Sequence, residues 1–272
     1  MNDLQKKELE ILACFIEICE TLKLRYFLVC GSALGAVKYD GFIPWDDDID
    51  VGLFREDYEV FISKASELLP EHLFLQNFHT DAAFPQIFSK LRDSRTTYIE
   101  KSVAHLPIHH GVYIDVFPLD GYPKELGTQR LLERKKTHYK RQLSCVFDVP
   151  RSLVSRLICQ YHRAMNYHKK TTKIVTKYDA LISKYSTVDA DVICNHGNWQ
   201  GRLEYCPKSQ YGQGVLVNFE GMNVRVPEKY DEYLTQKYGD WRSDPPQEAQ
   251  YGHHYFSILD LNKPYTEYFT SL

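Results

Sequence analysis

Between residues 3 and 24, apolar side chains return every three or four positions. Leu4, Leu9, Leu12, Phe15, Ile16 and Cys19 form the series, with Lys and Glu between them. That period predicts an amphipathic helix with one buried stripe. The pattern then shortens. "RYFLVC" (25–30) is a continuous apolar run and predicts a buried strand ending at Gly31-Ser32, after which "SALGAV" reads as a helix start. "DIDVGLF" (48–54) alternates and predicts a second strand, and "REDYEVFISKASELL" (55–69) predicts a helix closed by Pro70. "HLFLQNF", "PQIFSKLRD" and "GVYIDVFPLD" predict three further strands, the last ended by Pro118.

From about 124 to 185 the period becomes helical. The clearest piece is "PRSLVSRLICQYHRAMNYHKK" (150–170). Leu153, Val154, Leu157, Ile158, Tyr161, Ala164 and Met165 share a face there, and Arg151, Arg156, Arg163, Lys169 and Lys170 lie largely off it. Such a helix either packs on a core or lies on a membrane surface. After 211 short strands return in "GVLVNFEGMNVRVP", followed by a helix in "EKYDEYLTQKYG" and a Pro-rich loop. The order predicts an α/β (α+β) fold in three parts: a catalytic core at 1–120, a basic helical section at 121–210, and a C-terminal part at 211–272 that completes the site.

Composition narrows the class. With 272 residues, 43% hydrophobic and 25% charged, the chain has ample material for the core of a soluble enzyme. No run of 18 apolar residues predicts a membrane-spanning helix, and "MNDLQKKELE" has no apolar signal core, so the expected location is the cytoplasm. Seven cysteines without a CxxC pair predict a reduced, mostly buried set, with Cys14 and Cys19 in the first helical stripe and Cys30 at the end of a strand. Cys194, His196 and Cys206 lack the paired spacing of a zinc site. Net charge is only −3, but Gly121–Lys184 holds 15 Lys+Arg against 4 Asp+Glu. That segment is either a solvated helical surface or a surface for an anionic partner, polymer or lipid headgroups.

The chemistry concentrates in "GFIPWDDDIDVGLF" (41–54), with Asp46, Asp47, Asp48 and Asp50 inside apolar flanks. Carboxylates this close need a cation. If the strand begins early enough, its alternation puts Asp46, Asp48 and Asp50 on one face, turns Asp47 away, and sends Ile49 and Val51 into the core. Asp48-Ile49-Asp50 is the spacing with which two carboxylates grip Mg²⁺, one ion or two. A calcium EF-hand loop starting at Asp46 would need Gly at 51 and Glu at 57, where this chain has Val51 and Asp57. A solvated acidic turn does not suit the flanks. A sugar-nucleotide glycosyltransferase usually places a longer nucleotide-binding half before its acid pair than the 47 residues found here. Upstream, Gly31-Ser32 ends a strand and opens a helix, and Gly31 would let backbone N–H groups approach a phosphate.

Gly-Ser followed by an acid-apolar-acid triplet resembles the nucleotidyltransferase-fold superfamily, in which a later strand supplies a third acid. Asp115, between Ile114 and Val116, is the candidate here. The match then becomes closer. "YFLVCGSALGAVKYDGFIPWDDDIDVGLFREDYEVF" strongly resembles the LicD family, bacterial phosphorylcholine transferases with fukutin and fukutin-related protein as animal relatives. "KLRDSRTTYIE", "HHGVYIDVFPLD", "NFEGMNVRVPEKYDEYLTQKYGDW" and "PPQEAQYGHH" agree in order, while 121–210 shows little match.

The resemblance implies a nucleotidyltransferase-like mixed sheet with flanking helices. It also implies a phosphotransferase that moves phosphocholine, or a polyol phosphate, from its CDP ester to a hydroxyl of a cell-surface glycan or teichoic acid precursor. Asp48, Asp50 and Asp115 would hold Mg²⁺, for which Mn²⁺ can substitute, with Asp46 as auxiliary ligand and Asp115 also as base. Gly31, Ser32 and Gly35 would approach the donor phosphates, and Lys90, Arg92 and Arg95 would neutralise them. His253 and His254 are candidates to reach the phosphate or the acceptor, a structural role being equally open. "YGDWRSDPPQ" departs from the family's "YGDYM" block, which points to Trp241 and Arg242 as modifiers of the acceptor or choline end. Partners implied are a CDP-linked donor, a glycan or lipid-linked acceptor and peripheral contact with the inner face of the membrane, with no nucleic acid. The rival enzyme is a nucleotidyltransferase that adds NMP and releases pyrophosphate, and the non-enzyme rival is a nucleotide-sensing or glycan-binding module.

Overall fold

The computed structural model describes residues 1–149, 152, 156, 157, 159–161, 167–198, 201–252 and 255–269. Of the residues singled out above, Arg151, Leu153, Val154, Ile158, Arg163, Ala164, Met165, His253 and His254 lie outside that set.

The first amphipathic pattern forms α1 (Asp3–Leu22), opened by an Asn2–Gln5 capping box and closed by Lys23 at φ 57. Its buried face is rotated slightly from the expected stripe. Gln5, Glu8, Ile11 and Ile18 are buried with Leu4, Leu12, Phe15 and Cys19, while Leu9 and Ile16 are half-buried. The strand of "RYFLVC" is β1 (Tyr26–Leu28), which feeds directly into α2 (Cys30–Tyr39). Cys30 makes that corner at φ 51, a left-handed conformation uncommon outside glycine. Then follow β2 (Asp50–Phe54), α3 (Arg55–Leu68), β3 (Leu73–Gln76), β4 (Ser89–Asp93), β5 (Thr97–Glu100) and β6 (Val112–Gly121).

The sheet runs β1-β2-β6-β4-β3 and is mixed: β2 and β6 are parallel, the other neighbours antiparallel. All ten residues of β6 are buried. The expectation that Pro118 ends this strand is corrected, since β6 passes through it to Gly121. Asp115 N donates to Ile49 O on the β2 side, so by alternation the missing donor of Pro118 faces the opposite edge. There it falls between the β4 ladder, which stops at Val116, and the next ladder, which begins at Leu119. A proline at that gap costs no sheet hydrogen bond.

The section at 121–210 is not helical throughout. It contributes α4 (Leu126–Ser144) and α5 (Tyr167–Ile182), and also β7 (Val192–Asn195) and β8 (Tyr205–Pro207), which extend the main sheet from β6. α4 and α5 share a smaller apolar cluster built on Leu132, Leu143, Val175, Tyr178 and Ile182 with Phe78 and Ile87. The remaining elements are α6 (Lys208–Tyr211), the hairpin β9 (Val215–Phe219) and β10 (Met222–Val226), α7 (Tyr230–Tyr238), β11 (Phe256–Asp260) and α8 (Thr266–Phe269). Phe219, Val224, Tyr233 and Trp241 join the same core as Phe15, Val51 and Ile114, so the C-terminal part is packed into the N-terminal core. β11 pairs with β5 and fixes the segment that carries Glu100. The result is an α/β fold with a mixed, nucleotidyltransferase-like sheet flanked by helices. Among the described residues no helix is long and apolar enough to cross a membrane, and all seven cysteines are free.

Candidate active site

Parallel pairing of β2 with β6 sets Asp50 directly opposite Asp115, and antiparallel pairing of β4 with β6 sets Lys90 on the other side of Asp115. Three local sequences thereby meet at one point. Asp48, Asp50, Lys90, Arg92 and Asp115 all line one cavity of about 480 Å³. The acid-apolar-acid spacing works as expected at its centre: Asp48 and Asp50 reach the cavity while Ile49 and Val51 are fully buried.

The expected strand face fails one step earlier. Residues 46–49 are not strand, because the chain turns at Pro44-Trp45, closed by Asp46 N donating to Ile43 O at 2.9 Å. Period-two alternation therefore does not govern 46–48. Asp47 does not turn away: carboxylate oxygens of Asp46, Asp47 and Asp48 all lie within 4.8 Å of one another. Asp48 thus belongs to both the cavity and this cluster. Burial pushes the Asp46 carboxyl up to about 8, and the neighbouring charge of Asp48 and then Asp47 adds to it. Hard oxygen donors this crowded, with one carboxyl raised by burial and by its acid neighbours, fit a divalent ion. Asp48, Asp50 and Asp115 line the same cavity, but among the described residues the acids close enough together to share one ion are Asp46, Asp47 and Asp48.

Gly31, Ser32 and Gly35 act one layer back from the cavity. A Cβ on Gly31 would stand 2.8 Å from Asp46 Oδ2, so this glycine makes room for the acid cluster. Ser32 Oγ accepts the Asp50 N–H at 2.8 Å and fixes the start of β2. A Cβ on Gly35 would meet Gly41 O at 2.5 Å, a close packing of α2 on the following loop.

Lys90 and Arg92 share a strand face as expected, but neither is surface charge, since Lys90 is 4% exposed and Arg92 fully buried. Lys90 Nζ lies 2.9 Å from Asp115 Oδ1, 3.7 Å from Glu100 Oε2 and 3.2 Å from the centre of the Tyr113 ring. Burial raises the Asp115 carboxyl above its ordinary range, and Lys90 opposes that shift. Arg92 donates to Gln76 Oε1 at 2.5 Å, Gly111 O at 2.6 Å and Glu100 Oε2 at 3.4 Å. It holds the wall together. Arg95 is half exposed and closes a fork onto Asp93 at 2.8 and 3.0 Å, away from the cavity lining. Trp241 is buried in the core, its Nε1 donating to Asp231 at 3.2 Å, with Arg242 over its ring. Neither lines the cavity.

Two contributions escaped the sequence pattern. Glu100 pairs with both cations, and its strand, β5, is recognisable only through its partner β11. Phe84, Phe88, Phe117 and Phe147 make an aromatic wall, with Phe88 and Phe117 centroids 4.5 Å apart. Gly197 permits that approach, since a Cβ there would sit 2.9 Å from both Phe88 and Phe117.

Comparison with known proteins agrees with this geometry. A family model described as LicD/FKTN/FKRP, nucleotidyltransferase domain, matches residues 23–147, which carry every acid of the site. The chain is 29% identical over 256 residues to lipopolysaccharide cholinephosphotransferase LicD of Haemophilus influenzae, covering 90% of this chain and 92% of that protein. It is also 43% identical over 42 residues to human ribitol 5-phosphate transferase FKRP, 15% of this chain and 8% of that one. With acids on two neighbouring strands, a mixed sheet and these similarities, the chain resembles the LicD family over nearly its whole length and matches that family's nucleotidyltransferase domain at residues 23–147.

Proposed function

We propose that this protein is a divalent-metal-dependent phosphotransferase that moves phosphocholine from CDP-choline onto a hydroxyl of a cell-surface glycan or teichoic acid precursor and releases CMP. A polyol phosphate carried on its CDP ester is the second donor class. One juxtaposition supports this above all: Asp48, Asp50 and Asp115 line the same cavity as Phe84, Phe88, Phe117 and Phe147. Acids suit a metal–diphosphate, and aromatic faces suit a quaternary ammonium through cation–π attraction. Similarity to a cholinephosphotransferase along nearly the whole chain points the same way.

Magnesium held by Asp48, Asp50 and Asp115, with Asp46 in support, would supply charge neutralisation at the diphosphate. The chain's own groups then have separable tasks. Asp115, its carboxyl raised by burial, is the base for the acceptor hydroxyl proton. Lys90 can turn an N–H from Asp115 toward a phosphate oxygen. Arg92, committed to Gln76, Gly111 and Glu100, keeps Glu100 and the Lys90 ammonium in register. The phenylalanines exclude water and seat the choline end. Exposed Arg130, Arg134, Lys135 and Arg141 on α4 would bring the enzyme to an anionic, lipid-linked acceptor.

The test is incubation with CDP-choline, CDP-glycerol, CDP-ribitol, CTP or ATP, with Mg²⁺ or EDTA. Metal-dependent CMP release from CDP-choline is expected, lost in Asp48→Asn and Asp115→Asn. Pyrophosphate release from CTP or ATP without CMP release from any CDP ester would instead establish a nucleotidyltransferase. Liposome binding that survives reversal of Arg130, Arg134 and Lys135 would refute the membrane contact.

A further inference from the structure

A second, smaller cavity lies across the 196–198 loop from the first, and Asn198 lines both. Its volume is about 130 Å³, below the roughly 300–1,000 Å³ of pockets that take whole drug-sized ligands. Its lining is built almost wholly of donors. Lys136, Lys140 and Arg202 bring three positive charges to it. The acid present, Glu133, already accepts from Lys136 Nζ at 3.0 Å and from the Tyr205 hydroxyl at 2.6 Å. Lys140 Nζ donates to Asn198 O at 3.4 Å, a long contact to a neutral carbonyl.

Two further groups on this lining, Asn195 Nδ2 and His196 Nε2, have no hydrogen-bond partner among the described residues although both residues are 2% exposed. The histidine's tautomer follows from its other nitrogen. Burial keeps the Cys194 thiol protonated, and its Sγ lies 3.3 Å from His196 Nδ1. A thiol donating to Nδ1 leaves Nε2 carrying the proton. Both orphaned atoms are thus N–H donors, and a buried donor without an acceptor is costly. Burial, and then the nearby Lys136, pull the Lys140 ammonium below its ordinary range.

We propose that this second cavity binds a single phosphate-class oxyanion. An oxyanion would accept from Asn195 and His196 together and supply the charge that Lys136, Lys140 and Arg202 surround. Its place beside the transfer cavity suits a phosphate carried by the acceptor. That assignment of source, unlike the site itself, rests on the function proposed above.

Binding of inorganic phosphate to the full chain, measured by calorimetry in EDTA, tests the site without any need for activity. In EDTA the main cavity keeps four carboxylates, Asp48, Asp50, Glu100 and Asp115, against Lys90 and Arg92, and repels phosphate. Saturable binding is expected, weakened about tenfold in Lys140→Gln, the loss of one charge-assisted contact. Arg202→Gln, a change at an exposed side chain that the fold tolerates, should weaken it in the same direction. Lys90→Gln should leave it unchanged. Absence of binding to the wild-type chain overturns the proposal, as does binding lost in Lys90→Gln but kept in the other two variants. In the active enzyme, phosphate that competes with the acceptor assigns the site to an acceptor-borne phosphate. Phosphate that binds but leaves the acceptor KM unchanged assigns it to the free ion.

Discussion

Asp120→Ala tests how the section at 121–210 is anchored to the catalytic sheet. Asp120 lies near the end of β6 and is fully buried. Its carboxylate takes a fork from Arg55, Nε to Oδ1 at 2.6 Å and Nη2 to Oδ2 at 3.0 Å. Arg55 opens α3, and its remaining Nη1 reaches Glu59 at 3.1 Å and Asp179 of α5 at 3.0 Å. One guanidinium therefore ties two helices to the sheet. The two partners titrate in different senses. Burial lifts the Asp120 carboxyl to about 6 despite the pull of Arg55, whereas Arg55 is held more firmly charged, its acid neighbours outweighing burial. At pH 8 both are ionised. Truncation to Ala strands two buried N–H donors of a charged group, and breaking such a pair costs about 3–5 kcal/mol. Since Nη1 keeps two acids, the lower end, about 3 kcal/mol, is expected, a large part of a total stability of about 5–15 kcal/mol. With a urea dependence of about 3 kcal/mol per molar, the unfolding midpoint should fall by about 1 M, followed by far-UV circular dichroism at pH 8. Adding Arg55→Met to Asp120→Ala removes the stranded charge and should recover about 1–2 kcal/mol. A midpoint shift below about 0.3 M, or a double variant as unstable as the sum of the singles, would refute the reasoning.

Gly35→Ala should destabilise the fold by about 1–3 kcal/mol through overpacking against Gly41 O, with affinity for CDP-choline unchanged; a loss of affinity alone would return Gly35 to the phosphate site. Asp48→Asn should lower CMP release by about a hundredfold or more and Asp47→Ala by less, since Asp48 but not Asp47 lines the cavity. Phe88→Ala should raise KM for CDP-choline about tenfold while changing KM for CDP-glycerol little, and equal effects on both would remove the aromatic wall from choline recognition. Burial first, and then the charge of Arg92, lower His109 to about 3 and His110 to about 4. Because the unfolded chain protonates first, their stability contribution is complete above pH 6.5 and is lost as pH falls toward these values, at about 1.4 kcal/mol per pH unit per histidine. Urea midpoints between pH 6.5 and 5 should fall less steeply in His109→Gln than in the wild type.

Which parts of the site could be read locally follows from the range of the forces that made them. α1, α2, α3 and the strands β1, β2, β3, β4 and β6 were legible because each carries its own apolar pattern. Asp50 and Asp115 were legible as strand acids because each stands between apolar residues of its strand. Asp47 was misplaced by a rule that holds only inside a ladder, and the turn at Pro44-Trp45 lies outside it. β7, β8 and β11 are three to five residues long, too short for a periodic signal, and exist because β6, β7 and β5 offer them edges.

The chain's pattern of apolar positions, taken alone, determined α1 to α3, β1 to β4 and β6, and put Asp50 and Asp115 on strands. Tertiary structure alone decided that Asp50 sits opposite Asp115, that Lys90 and Arg92 are buried against Glu100, and that phenylalanines from 84, 88, 117 and 147 close one wall. Local periodicity records which face of an element avoids water. It carries no record of which distant element will cover that face, and the site is made where those faces meet.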